Sequence, residues 1–86
     1  MIDFYNINEI RPSGDTQIGY DPRQDLYYYV RISYDRREDF YEINIIEEAD
    51  RGGYHQTSVV EPVYAYSQDD AIDAAWDLLD EFQAAH

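Results

Sequence analysis

The amino-acid sequence predicts an α+β fold, in which an antiparallel meander of three to four strands carries one C-terminal amphipathic helix packed on one face. Three observations predict it. Apolar and polar residues alternate in the middle of the chain, short polar breaks separate the alternating stretches, and apolar residues recur with helical spacing near the C-terminus. The chain has 86 residues, 44% of them apolar, so we expect a single domain over residues 1–86.

The clearest strand pattern covers Asp25–Tyr34, with the sequence DLYYYVRISY. Every second residue from Leu26 to Tyr34 falls on one face, and the residues between them fall on the other face. Valine, isoleucine and tyrosine are the residue types that strands favour. We therefore expect the first face to lie on the core.

Two further strands follow at hairpin spacing. After the polar break Asp35–Glu38, a second strand is predicted over Asp39–Glu48. The turn Ala49–Gly53, which contains two glycines, leads to a third strand over Tyr54–Tyr66, where Pro62 indicates a strand edge or a bulge. The second strand separates its residues by face, with Tyr41, Ile43 and Ile45 on one side and Glu42, Asn44 and Glu48 on the other.

The N-terminal part gives weaker patterns. Ile2–Ile10 fits either a fourth strand or a short helix. Arg11–Gln24 is predicted to be a loop because it contains two prolines and two glycines, Pro12, Gly14, Gly19 and Pro22. No internal repeat is apparent from the sequence.

The C-terminal segment predicts a helix over Asp69–His86. Ser67 is a good N-cap, and Asp70 three residues later gives a start that is similar to a capping box. At 100° per residue, one broad apolar arc forms that should pack on the sheet. Its members are Ala71, Ile72, Ala75, Trp76, Leu78, Leu79 and Phe82.

The opposite arc of this helix is acidic. Its six members, which we predict to bind a partner, are Asp69, Asp70, Asp73, Asp77, Asp80 and Glu81. No basic residue lies between Arg51 and the C-terminus, so the pairs four residues apart are like-charged and each costs roughly 0.2–0.5 kcal/mol. Asp80 and Glu81 also lie near the helix C-terminus, where the macrodipole disfavours anions. The first-turn acids suit a helix start, but the later acids call for another explanation.

The whole chain is strongly acidic, with 19 Asp and Glu against 6 Lys and Arg and a net charge of −13. Such a chain repels nucleic acid and anionic lipid and attracts basic surfaces. The sequence therefore predicts a non-enzymatic protein that binds a basic nucleic-acid-binding protein or ribonucleoprotein, with no direct contact to nucleic acid or membrane and a possible homodimer. Solubility in a salt-adapted organism is the alternative explanation of the charge, and a GC-rich genome is an alternative explanation of the missing lysines.

Four residues outside the helix complete the predicted partner-binding set: Glu47, Glu48, Tyr27 and Tyr29. The two glutamates extend the acidic surface, and the two tyrosines fall on the strand face away from the core, where tyrosine is a frequent interface residue. We expect four further tyrosines to cover the sheet, namely Tyr28, Tyr34, Tyr41 and Tyr66.

The sequence contains little that supports an enzymatic function. The histidines are His55 and the terminal His86, and no nucleophile elbow, phosphate-binding loop or metal-binding motif is present. The helix acids form a row and do not converge on a cage, so we predict no cofactor and no metal. The chain has no cysteine, no apolar run of 18 residues and no basic, apolar leader, so we expect a soluble protein of the cytoplasm, or of the host cytoplasm if a phage encodes it.

In its size, its charge and the row of acids on one helix, the chain resembles the small phage-encoded DNA-mimic inhibitors of the anti-CRISPR type. The resemblance implies a stoichiometric inhibitor that occupies the nucleic-acid-binding groove of a host defence complex. These inhibitors share no fold, so the resemblance transfers no residue roles.

A second resemblance covers Asp50–Phe82. DRGGYHQTSVVEP followed by VYAYSQDDAIDAAWDLLDEF is similar to HicB-type antitoxins, in which a glycine-led strand precedes a strand and an Asp/Glu–Ala-rich helix. It implies a module that neutralises a basic RNA-binding toxin. This chain lacks the Pro-Gly turn expected between the two strands and a C-terminal DNA-binding segment.

Overall fold

A computed structural model describes residues 1–49 and 55–86. The elements are β1 (Asp3–Phe4), β2 (Gly14–Asp21), β3 (Leu26–Asp35), β4 (Phe40–Ala49), β5 (His55–Ser58), β6 (Val63–Ala65) and α1 (Gln68–Ala85). The α+β class, the antiparallel meander and the C-terminal helix are confirmed, and the described strands number six where three to four were predicted.

The sheet has the strand order β1-β2-β3-β4-β5, and β6 pairs with β4 beyond the end of β5. Every pairing is antiparallel. The long central hairpin β3–β4 is in continuous register from Leu26 opposite Ala49 to Asp35 opposite Phe40. This hairpin agrees with the two predicted strands to within one residue at each end, because every second residue from Leu26 to Tyr34 and from Tyr41 to Ile45 is apolar or aromatic.

The core lies between α1 and one face of this hairpin. Val30, Ile32, Ile43 and Ile45 are at most 1% exposed, and they pack against the buried side of the helix. The predicted apolar arc of α1 is confirmed: five of its seven members are buried, and Ile72 and Trp76 are partly buried against the core. The helix therefore turns its acidic arc away from the sheet.

The predicted loop Arg11–Gln24 is wrong, because its middle forms the eight-residue strand β2. A register shift between Gln17 and Gly19 marks a bulge that breaks the alternation, so the sequence pattern hides the strand. Close packing explains why residue 19 is a glycine. A Cβ atom at this position would lie 3.0 Å from the carbonyl oxygen of Asp3 and 3.0 Å from Ile2 Cγ2. The glycine thus lets β1 lie close against β2 and does not mark a loop.

The predicted third strand Tyr54–Tyr66, with its interruption at Pro62, is present in the described part as two short strands, β5 and β6, so the interruption is longer than predicted. Val59–Pro62 separates them, and the proline directly before β6 cannot donate a backbone hydrogen bond. The predicted turn residues after Ala49 and the first residue of that strand, Tyr54, lie outside the described residues. In Ile2–Ile10, the observed element is the two-residue strand β1.

Two of the tyrosines expected to cover the sheet do not. Tyr34 is 43% exposed, because it lies near the turn end of β3 and contacts the ring of Tyr41 at 4.9 Å. Tyr66 is 80% exposed, because it follows β6 and precedes the helix cap, outside the sheet. Tyr28 is buried as expected, and Tyr41 is partly buried against the core.

The turns β2–β3 and β3–β4 are built from an internal repeat that the sequence analysis missed: Tyr-Asp-x-Arg-x-Asp occurs at Tyr20–Asp25 and again at Tyr34–Asp39. In each turn the first aspartate accepts hydrogen bonds from two backbone N–H groups, those of the residues two and three positions later. The last aspartate of each turn has a positive φ, 56° at Asp25 and 54° at Asp39. The repeat therefore encodes one turn structure twice, at opposite ends of β3.

Candidate partner-binding surfaces

The acidic arc of α1 is fixed by the start of the helix and by its buried side. Ser67 has extended backbone angles, and its hydroxyl accepts a 3.1 Å hydrogen bond from the backbone N–H of Asp70, which confirms the predicted N-cap. Ala71, Ala75 and Leu79 are at most 2% exposed against the sheet. Because these contacts fix the rotation of the helix, all six acids of the arc are exposed.

The exposed acids form a dense row of charge. From Asp69 to Glu81 the helix rises about 18 Å at 1.5 Å per residue, so the six carboxylates average about 3.6 Å apart along the axis, with individual steps of about 1.5 to 6 Å. One strand of duplex DNA carries a charge about every 3.4 Å. Within the described ranges, no cation lies within 4 Å of any of these six carboxylates, and the last turn of α1 contains no basic residue. The row presents its charge without internal neutralisation.

Tyr27 and Tyr29 lie on the other face of the sheet. Tyr27 pairs with Glu48 across β3–β4, and Tyr29 pairs with Ile46, both on the side that the helix does not cover. The Tyr27 ring contacts the ring of Tyr20, with 4.8 Å between the ring centroids. The Tyr29 hydroxyl donates a 3.1 Å hydrogen bond to Glu48. These side chains are partly buried against one another, although no helix lies above them.

A chain of hydrogen bonds crosses this open face, on which Ile46 is only 5% exposed. Arg31 donates two hydrogen bonds to Asp15, of 2.7 Å and 2.9 Å, and a third of 3.1 Å to Gln56. Gln56 in turn donates to Glu48 at 2.9 Å. Ile46 shares this face and pairs with Tyr29 and Ser58, so in the described part of the chain the face is organised by side chains of the sheet itself.

Glu47 and Glu48 do not form one surface. As neighbours in β4 they point to opposite faces of the sheet. Glu47 accepts a 2.9 Å hydrogen bond from the Tyr28 hydroxyl on the helix side. Burial, together with this hydrogen bond to a carboxylate, raises the pKa of Tyr28 well above its usual value. Both glutamates therefore have structural partners within the sheet.

The structure thus divides the ten predicted binding residues among three surfaces. The six helix acids lie together on the outer face of α1, and Tyr27, Tyr29 and Glu48 lie on the face of the sheet that the helix does not cover. Glu47 lies on the helix-side face of the sheet, next to Tyr28. A flat partner surface that contacts the helix acids does not reach the two tyrosines.

The two histidines lie on different elements of the fold. His55 is exposed at the start of β5, and the His86 ring contacts the ring of Phe82 at 4.4 Å at the end of α1. Among the described residues, no three of His, Asp and Glu come together in a way that could hold a metal ion. In the same part of the chain, no helix is long and apolar enough to cross a membrane.

In comparisons with known proteins, no family model, no curated protein and no solved structure matches this chain. The resemblances to DNA-mimic inhibitors and to HicB-type antitoxins therefore stay predictions that rest on the residues alone.

Proposed function

We propose that this protein is a non-enzymatic inhibitor that binds a basic, nucleic-acid-binding surface of another protein through the acidic face of α1. In this proposal the six carboxylates take the place of backbone phosphates in front of a surface built from Lys and Arg. The observation that carries it is the row itself, which has six exposed acids on one side of one helix and a mean charge density along its axis close to that of one nucleic-acid strand.

The cost of the row supports a binding role. The pairs Asp69–Asp73, Asp73–Asp77 and Asp77–Glu81 repel each other along the helix, and each costs roughly 0.2–0.5 kcal/mol. Solubility requires a net charge but no particular arrangement, and mixed signs on a helix face would provide it without this repulsion. A partner with positive charges removes the repulsion when it binds.

The class of partner follows from the resemblance to inhibitors of the anti-CRISPR type. A defence ribonucleoprotein with an open nucleic-acid groove is therefore the first class of partner to test. Long-range attraction between the acidic face and such a groove would speed association and would weaken steeply as salt screens it.

The test is affinity capture from a lysate at low and at high salt with two matched variants. One variant reverses three acids of the row, Asp73→Lys, Asp77→Lys and Glu81→Lys. The control reverses three exposed acids elsewhere, Asp3→Lys, Glu9→Lys and Glu38→Lys, so both change the net charge equally.

We expect the wild type and the control to capture the same basic nucleic-acid-binding protein at low salt, and we expect the row variant to lose it. If both variants lost the partner to the same extent, net charge and not the row would be responsible. If neither lost it, the acidic face would have no role in binding.

A further inference from the structure

Two open grooves lie side by side between α1 and the chain around β6. One has a volume of about 470 Å³ and is lined by the loop Val59–Pro62, by Val63 and by the last two turns of the helix. The other has a volume of about 230 Å³ and is lined by Val63, Ala74, Asp77, Leu78 and Glu81. Because Val63, Leu78 and Glu81 line both, the two grooves are adjacent, and together they are here named the α1–β6 groove.

One wall of this groove is a strand edge. In the described part of the chain, β6 pairs with β4 along one edge and no strand covers the other. Val63 and Tyr64 in β6 are 36% and 54% exposed. An uncovered strand edge presents backbone N–H and C=O groups that can pair with an extended segment of another chain.

The chemistry of the groove combines an apolar floor with an acidic rim. Val63, Leu78 and Ala74 supply the floor, and the exposed carboxylates of Asp77 and Glu81 rise beside it. Glu61 adds a third carboxylate at the other end. From residue 52 to the C-terminus the chain contains no Lys or Arg, and the basic side chain that lines the groove is His86, whose ring lies against the ring of Phe82.

Lysine and arginine are the side chains that match such a groove. Their aliphatic stems cover apolar surface while their charged heads reach carboxylates. In a strand, alternate residues point to the same face. Val63 and Ala65 lie opposite Ile43 and Tyr41, and these pairs share the helix-side face of the sheet. The side chains of an added strand on this face would meet the floor and the rim of the groove.

We propose that the α1–β6 groove binds an extended basic segment of the partner, which adds a strand beside β6 and places Arg or Lys at every second position against Asp77 and Glu81. This inference rests on the proposed function and narrows it. It assigns specific contacts to two of the six acids, while the others act through long-range attraction.

The helix supplies a matched control for this assignment. Asp77 and Glu81 line the groove, whereas Asp73 and Asp80 are equally exposed acids of the same row that do not line it. The double variants Asp77→Asn/Glu81→Gln and Asp73→Asn/Asp80→Asn each remove two charges. All four positions are exposed, and an unchanged circular-dichroism spectrum will show that both variants fold.

The probes are two seven-residue peptides with the same composition, four arginines and three threonines. In one the arginines alternate with the threonines, and in the other the arginines form a single block. Titration of each peptide into isotopically labelled protein, followed by amide NMR shifts, gives the affinity and the location of binding.

We expect the alternating peptide to bind about three- to tenfold more tightly than the block peptide and to shift the amides of Val63 and Tyr64. The Asp77→Asn/Glu81→Gln variant should bind both peptides equally, and the Asp73→Asn/Asp80→Asn control should still prefer the alternating peptide. Equal affinity for both peptides, an equal effect of both variants, or shifts that miss β6 would overturn the groove proposal. Self-association of the free protein through β6 would also overturn it, since a second copy would then occupy the edge.

The outcome separates the groove from the acidic face as a whole. If both peptides bound equally and both variants weakened them equally, the acidic face would still attract basic chains and only the groove assignment would fail. If neither peptide bound even at low salt, both proposals would be contradicted.

Discussion

The hydroxyl of Tyr34 donates a 2.6 Å hydrogen bond to Oδ1 of Asp39, an aspartate with a φ of 54°. The same relationship recurs between Tyr20 and Asp25, at 2.8 Å and with a φ of 56°. In both pairs the hydrogen bond to the carboxylate is the main cause of a raised pKa of the tyrosine. In each turn the tyrosine hydroxyl is thus hydrogen-bonded to the aspartate that has a left-handed backbone conformation, which is uncommon for residues other than glycine.

This relationship predicts how Asp39 tolerates substitution. Asp39→Asn keeps an acceptor for Tyr34 and a residue type that adopts positive φ, so it should cost least. Asp39→Gly keeps only the backbone freedom, and Asp39→Ala loses both and should lower the free energy of unfolding by about 1–2 kcal/mol, which is the cost of a left-handed backbone at alanine. Denaturant unfolding checks the order Asn, Gly, Ala. An alanine variant as stable as the asparagine variant would show that the turn does not depend on this residue.

The repulsion along α1 predicts that a charge reversal stabilises the protein. Asp77 lies four residues from both Asp73 and Glu81, so Asp77→Lys turns two repulsive pairs into attractive ones. We expect the free energy of unfolding at low salt to rise by about 0.5–1 kcal/mol. Glu9→Lys, an exposed position outside the helix, makes the same change in net charge and serves as the control. An equal gain in both variants would attribute the effect to net charge alone.

The buried phenol of Tyr28 predicts a loss of stability in alkali. Its pKa is raised by burial and by the hydrogen bond to Glu47, so the folded state keeps the proton that the unfolded state loses near pH 10. This contribution is fully present below about pH 10 and is lost as pH rises towards the folded-state pKa.

Tyr28→Phe should be less stable at neutral pH, because Glu47 loses its donor, and its stability should fall less steeply above about pH 10. Denaturant unfolding across this pH range measures the slope, and tyrosinate absorbance reports the ionisation. Tyr66→Phe removes an exposed phenol and should keep the wild-type slope. If Tyr28→Phe kept it as well, the linkage to Tyr28 would be wrong.

The sequence predicts β3, β4 and α1 well, because in each the apolar residues recur at one period along the side that becomes buried. The strand β2 could not be predicted from the sequence for two reasons. The bulge before Gly19 breaks the alternation of apolar and polar residues. The glycine itself is needed for a close approach to Ile2 and Asp3, which lie far away in the sequence. The repeated turns were detectable, since Tyr-Asp-x-Arg-x-Asp occurs twice only 14 residues apart, counted from Tyr20 to Tyr34.

The candidate site was predictable only in part. The exposure of the helix acids follows from the helical period, but the separation of Tyr27 and Tyr29 from that row depends on which face of the sheet the helix covers. The hydrogen-bond chain from Asp15 to Glu48 and the α1–β6 groove depend on pairings between distant segments. Alternation within one strand contains no information about those pairings.

The most direct test of the central claim is displacement of nucleic acid from the captured partner. Labelled nucleic acid is bound to the purified partner, and this protein is titrated in at fixed salt while the released label is measured. The account predicts competitive release at one protein per binding site, with a loss of at least about tenfold in potency for Asp73→Lys/Asp77→Lys/Glu81→Lys. A complex in which the partner held this protein and the nucleic acid at the same time, with no loss of affinity for either, would contradict it.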